Sequence, residues 1–266
     1  MQLVWVSDCH LDRATADAVS RFHDTLRSSA AEAVIVTGDI SNATRLIADL
    51  EAIAHAAGAT IYHVLGNHDY YGSSIGNVRD DVIALSARSS LIQWLPPAGP
   101  IRLNPETLLV GVDGWADGRH GDPLRTPLVL NDDRLIAEVA AQEGRAAKLV
   151  VKRVLADADA RRLDTLLHRA AAEAPKQIMV ATHVPPFVDA LAPGSRESHP
   201  DWHPLLVSGA TGTVLRAFAT AQPAIDIEVL AGHSHRACQV EILPNLKVRV
   251  AAARYGQPRV ELLPTA

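Results

Sequence analysis

The sequence predicts an α/β fold containing two β-sheets. Three observations lead there. Short runs rich in Val and Ile are apolar almost throughout, longer amphipathic segments separate several of them, and the C-terminal part breaks into short strands joined by turns. Runs of the first kind suit strands covered on both faces, and their alternation with helical patterns is that of βαβ units.

The runs at 3–7, 33–37 and 60–64 predict the first three strands, and the amphipathic segments at 15–30 and 43–57 predict the helices joining them. Further strands are expected at 108–112, 178–182 and 225–231. Residues 152–174 give the clearest helix. Leu163, Leu166, Leu167, Ala170 and Ala171 form an apolar stripe that Arg161, Arg162 and Arg169 avoid. At the C-terminus, strands at 237–242, 246–251 and 259–263 are separated by the turns Pro244-Asn245 and Tyr255-Gly256, which predicts an antiparallel or mixed end to the sheets. Three long segments, 70–90, 113–131 and 185–204, read as irregular. Loops of that length are uncommon unless functional or disordered.

Composition narrows the function. Hydrophobic residues make up 48% of 266, enough for a sizeable core, and no linker-like stretch divides the chain, so one domain over 1–266 is expected. No apolar run approaches the ~18 residues that span a bilayer. A net charge of −5 without a Lys/Arg cluster argues against a long nucleic-acid partner. Nothing resembles a secretory signal, and Cys9 and Cys238 make no disulfide framework, so a cytoplasmic location is expected.

Chemistry gathers at predicted strand ends. Asp8-Cys9-His10 follows the first strand, Gly38-Asp39 the second and Gly66-Asn67-His68-Asp69 the third. Thr182-His183 ends the 178–182 strand, and Gly232-His233-Ser234-His235 follows the 225–231 strand. Each motif alone has an ordinary reading as a turn or a packed histidine. Ligands of open α/β sheets bind beyond the carboxyl ends of strands, so five such ends can converge on one rim.

In this order the motifs resemble the calcineurin-like metallophosphoesterase superfamily, whose pattern is D-x-H, G-D, G-N-H-[DE], an isolated H, and G-H-x-H. The resemblance runs roughly from Leu3 to His235. It implies a four-layer sandwich of two mixed sheets flanked by helices, with a dinuclear metal site at the strand ends. It also implies Asp8, His10 and His235 on one metal, Asn67, His183 and His233 on the other, and Asp39 bridging them. Imidazole and carboxylate donors without thiolate suit Mn²⁺ or Fe, with Zn²⁺ and Co²⁺ also accepted. A bridging anion relieves the repulsion between two such ions. The implied activity is hydrolysis of a small phosphorylated substrate by a phosphatase or phosphodiesterase, in which hydroxide formed between the metals attacks phosphorus. His68, beside a ligand, would assist the leaving group.

The sequence departs from the protein Ser/Thr phosphatases of that superfamily. Asn42 stands in place of their second Asp, and the Arg that follows is absent, which excludes that branch. Either Asn42 or Asp69 is then expected to orient His68. Arg119, in a loop with Trp115, Asp117, His120 and Asp122, is either a solvated charge or a bidentate phosphate grip. Trp202 is either a substrate-stacking group or a loop anchor, and Tyr70 and Tyr71 either line the pocket rim or only pack. Cys9 reads as a small buried residue, and His23, His55, His63 and His168 as structural or solvent-exposed. Other readings are a nuclease, which the net charge opposes, and a non-catalytic scaffold or nucleotide sensor, which the complete motif set opposes.

Overall fold

The computed structural model describes residues 2–263. Eleven strands lie within them: β1 Leu3–Val6, β2 Ala33–Thr37, β3 Thr60–Val64, β4 Ile92–Trp94, β5 Ile101–Arg102, β6 Thr107–Gly111, β7 Gln177–Ala181, β8 Asp226–Ala231, β9 Cys238–Leu243, β10 Leu246–Val250 and β11 Glu261–Leu263. The α-helices are α1 Ala16–Ser28, α2 Leu46–Ala57, α3 Ile75–Arg88, α4 Leu95–Ala98, α5 Asp132–Leu135, α6 Ala137–Ala140, α7 Gly144–Ala171, α8 His203–Leu206 and α9 Gly209–Ala221.

The strands form two mixed sheets. One has the order β11-β1-β2-β3-β4 and the other β5-β6-β7-β8-β10-β9. Strands β1 to β4 run parallel, as do β6, β7, β8 and β10, while β11, β5 and β9 pair antiparallel. Period-2 alternation sorts the side chains between layers. Leu3, Trp5 and Ile35 meet Leu109, Met179 and Leu230 between the sheets. Val4, Val6, Val34 and Val36 point the other way, against Phe22 and Leu26 of α1, Leu50 and Ile53 of α2, and Val82 and Leu85 of α3. On the far side, Val110, Val180 and Val229 pack against Leu163 and Leu167 of α7 and Leu215 and Phe218 of α9. The result is the four-layer sandwich.

Several elements differ from the sequence expectation. Segment 70–90 is largely the helix α3, whose start is capped by Ser74 Oγ accepting from the Asn77 N–H at 3.1 Å. Gly72, Ser73, Ser74 and Gly76 read as loop, yet Val78, Val82 and Leu85 carry the helical stripe. Helix α7 begins at Gly144 rather than 152; its first half buries little, with Val150 and Val154 both exposed, so no apolar stripe marks it in the sequence. Helix α9 escaped notice because Gly209 and Gly212 lower its propensity. Strands β4 and β5 are too short to show a pattern.

A buried polar knot ties the two sheets together where they approach the rim. Asp113, just past β6, accepts from the Leu65 N–H at 2.9 Å, Trp94 Nε1 at 3.0 Å and the Tyr70 hydroxyl at 2.9 Å. Arg79 of α3 lies 3.3 Å from the same carboxylate.

His63 on β3 shares the helix-facing side of its sheet with Ile61, and both its ring nitrogens are buried with no hydrogen-bond partner. Burial holds its pKa down to about 3. The unfolded chain therefore takes up the proton first. The stability tied to a neutral His63 is complete above about pH 6.5 and falls as pH drops toward 3. At pH 5 the loss is on the order of 2 kcal/mol. Denaturant unfolding of metal-free protein at pH 7 and pH 5 should show His63→Met losing less stability between the two than wild type, by about that amount.

Candidate metal centre

The site is built by turns that leave the parallel strands at their carboxyl ends. Seven non-glycine residues in the described chain have positive φ, and five of them are here: Asp8, His10, Asp39, His233 and His235. Left-handed backbone is costly for such side chains and tends to persist at functional sites. Backbone hydrogen bonds hold it, from Asp8 N–H to Gly38 O, His10 N–H to Asp39 O and Gly232 N–H to His183 O, each 2.9 to 3.0 Å. Gly66 and Gly232 must lack a Cβ. One on Gly66 would collide with the Asp39 carboxylate, and one on Gly232 with Asp8 and Ser7.

Two groups of donor atoms result. In the first, ligand atoms of Asp8, His10, Asp39 and His235 all lie within 4.8 Å of one another. His10 Nε2 sits 3.1 Å from His235 Nε2 and 3.6 Å from Asp39 Oδ2, and His235 Nε2 sits 3.3 Å from Asp8 Oδ1. In the second, His183 Nε2 lies 3.1 Å from Asn67 Oδ1, 3.2 Å from His233 Nδ1 and 3.3 Å from Asp39 Oδ1. Asp39 thus presents one oxygen to each group.

Hydrogen bonding sets the tautomers of the second group. His183 Nδ1 donates to Thr37 O at 2.8 Å and His233 Nε2 to Leu205 O at 2.9 Å. His183 Nε2 and His233 Nδ1 are left with lone pairs that face each other and Asn67 Oδ1. Facing acceptors repel unless a cation lies among them. This donor set fits a divalent metal in each group, with nitrogen and oxygen ligands and no sulfur.

Electrostatics agree. Burial pushes His10 and His233 down to about 4, which keeps both imidazoles neutral and able to ligate. Burial alone would raise Asp39, but His183, His68 and His10 outweigh it and hold the carboxyl at about 2. Asp8 is also held low, with His235 chief among the groups that overcome its burial.

Asp39, Asn67, His68, His233 and His235 open onto a cleft of about 280 Å³, whose walls include Val129, Arg196, Trp202, Leu206 and Tyr255. The His68 ring packs 4.6 Å from His10 and 4.3 Å from Tyr71, and its Nε2 is 3.9 Å from Asp39 Oδ2. Trp202 lines the cleft and also packs against Leu191, Leu206 and Val207, with the Arg196 guanidinium 4.7 Å from its ring centroid.

Other expected contacts are corrected. Arg119 is held by Asp117 and Asp157, at 2.7 Å each, and does not line the cleft. Tyr70 is fully buried with its hydroxyl on Asp113, and Tyr71 takes the rim position. Neither Asn42 nor Asp69 orients His68. Asn42 contacts Asp12 and Thr44, and Asp69 accepts the N–H groups of Ile40, Ser41 and Gly66 at 2.8 to 3.0 Å, stitching the Asp39 turn to the Asn67 turn.

Two residues escaped the sequence reading. Tyr255 lies 4.4 Å ring to ring from His10 and 5.1 Å from His235, and burial raises its hydroxyl to about 12. Its only signal was a turn with Gly256. Asp132 accepts from Asn67 Nδ2 at 2.7 Å and gave no signal at all.

A family model described as calcineurin-like phosphoesterase matches residues 1–237. A search of curated proteins found no match. Among solved structures, the fold is similar to a phosphopantetheinyl hydrolase from Mycobacterium tuberculosis, with a TM-score of 0.64 at 14% identity over 96% of this chain and 90% of that one. It is also similar to a dimetal phosphatase from Danio rerio, with a TM-score of 0.59 at 12% identity over 95% and 87% of the two chains. A third similar structure is TT1561 of Thermus thermophilus, with a TM-score of 0.54 at 16% identity over 94% and 88%.

Because Asp39 faces both donor groups, Asp39→Asn is expected to weaken both. Elemental analysis after dialysis against limiting Mn²⁺ should show bound metal falling from roughly two ions per chain to at most one.

Proposed function

This chain belongs to the calcineurin-like phosphoesterases, metal-dependent hydrolases of phosphate esters, and from that premise we propose that it hydrolyses a small phosphodiester in the cleft above Asp39. The observation that carries the catalytic reading is the set of buried lone pairs aimed at one another. With His183 Nδ1 and His233 Nε2 donating to carbonyls, the neutral rings leave His183 Nε2, His233 Nδ1 and Asn67 Oδ1 with no proton to share. Asp8, His10, Asp39 and His235 would hold one metal, and Asn67, His183, His233 and Asp39 the other, with Mn²⁺ or Fe the ions proposed. Two divalent cations there would supply an activated water and positive charge facing the phosphoryl oxygens.

The protein's own residues do the rest. His68 opens onto the cleft beside Asp39, with its ring held between His10 and Tyr71, so its imidazole can deliver a proton to the departing oxygen. Arg196 is the one Lys or Arg among the described residues lining the cleft, and its Nε lies 3.7 Å from Glu197. So little positive charge suits the monoanion of a diester better than the dianion of a monoester. Val129, Leu206, Trp202 and Tyr255 suit an apolar or aromatic substituent on the ester. We take residues 1–266 as one catalytic unit. The free thiols of Cys9 and Cys238 favour a cytoplasmic setting.

A scaffold or nucleotide sensor would not need a histidine facing the cleft beside complete metal ligands. The test is Mn²⁺-reconstituted protein with bis-p-nitrophenyl phosphate and p-nitrophenyl phosphate. Diester turnover should exceed monoester turnover. His68→Ala should keep both metals and lose about 10²–10⁴-fold in kcat. Faster monoester turnover would refute the diester assignment. Unchanged kcat in His68→Ala, or loss of metal from it, would remove His68 from the mechanism. Tight nucleotide binding without product would favour the sensor.

A further inference from the structure

The second donor group depends on a side chain outside every motif. Asn67 can offer a metal only its oxygen, and an amide can turn either end toward a partner. If the Asn67 amide were reversed, its Nδ2 would meet His183 Nε2, a bare lone pair, and would form a good hydrogen bond there. The metal site would then close on itself. Asp132 prevents this. Its Oδ1 accepts from Asn67 Nδ2 at 2.7 Å and from the Tyr71 hydroxyl at 2.6 Å, and the Tyr71 oxygen accepts from Asn67 Nδ2 at 2.9 Å. All three side chains are buried. A carboxylate only accepts, so it rejects the reversed amide.

We propose that Asp132, seconded by Tyr71, is the positioning residue that keeps Asn67 Oδ1 turned toward His183 and His233, and that the second metal's affinity depends on it. The inference rests on the dinuclear reading above.

The same contact makes the substrate wall part of the metal site. Asp132 opens α5 directly after Val129, Leu130 and Asn131, which line the cleft. The segment is strapped to the Asn67 turn by hydrogen bonds from Gly72 N–H to Leu135 O at 2.9 Å and from Ala137 N–H to Ser73 O at 3.0 Å. Lys152 of α7 pins the neighbouring Asp133 at 2.6 Å. A shift of that wall therefore moves the group that orients Asn67.

Outer partners of metal ligands typically contribute 10–100-fold in affinity. Calorimetric titration of metal-free protein with Mn²⁺ reads both sites. Asp132→Ala should raise the Kd of one of the two sites roughly 10–100-fold and leave the other within about threefold. Asp132→Asn should weaken the same site by less than Asp132→Ala, because its amide can accept as the carboxylate does but can also donate, and so no longer rejects the reversed Asn67. Tyr71→Phe should show a smaller loss of the same kind. A swap gives the sharpest readout. Asn67→Asp alone sets two carboxylates together and should lose the second ion. Adding Asp132→Asn reverses donor and acceptor and should restore it. Wild-type affinity in Asp132→Ala, equal weakening of both sites, or a swap that restores nothing would each overturn the inference. A wild-type protein that binds a single Mn²⁺ would overturn the dinuclear reading itself, and the inference with it.

Discussion

The structure turns on a buried cluster of acceptors that has too few protons. His183 Nε2 faces His233 Nδ1 and Asn67 Oδ1, at 3.2 and 3.1 Å. In a low-dielectric setting such contacts are unfavourable, and only positive charge among them relieves the cost. Much of the surrounding architecture makes sense as the means of holding them there. Thr37 O and Leu205 O take the protons of His183 and His233, so neither ring can turn to escape. Asp132 does the same for the Asn67 amide.

Backbone strain serves the same end. A side chain that leaves a strand in the ordinary way points to one face of the sheet. These donor groups instead converge on one another beyond the strand ends. Left-handed φ at Asp8, His10, Asp39, His233 and His235 achieves that turn. The strain is affordable because the turns are cross-linked: Asp69 joins the Asp39 turn to the Asn67 turn, and Asp8 accepts the His233 N–H across the two sheets.

Behind the rim, Asp113 fixes the relation of the sheets. It receives Leu65, Trp94 and Tyr70 from the first sheet's side, while its own carbonyl accepts the His183 N–H at 2.8 Å. The position of a metal-facing histidine in one sheet is thereby referred to the backbone of the other. Tyr70 belongs to this knot and not to the cleft, whereas its neighbour Tyr71 reaches the site.

The donor-bearing turns and the parallel strands other than β4 were legible in the sequence, because both are local. A βα unit shows as an apolar run followed by an amphipathic segment, and each donor residue sits within four residues of its strand's end. The strands' extreme burial and the glycines at 66 and 232 belong to the same local grammar. Helices α3 and α9 were not legible, since glycines and serines mask a pattern that tertiary packing overrides. Nor were the partners of the ligands. Asp132 lies 65 residues from Asn67, and Tyr255 lies 245 residues from His10. Arg119 looked like a phosphate grip and is held by Asp117 and Asp157 instead, because a charge's partner depends on which loops meet. What the sequence determined by itself was the chemistry of the rim, since strand ends and their turns are encoded by neighbouring residues. What only the tertiary structure decided was the orientation of each ligand and the shape of the cleft, since both are set by contacts between segments far apart in the chain.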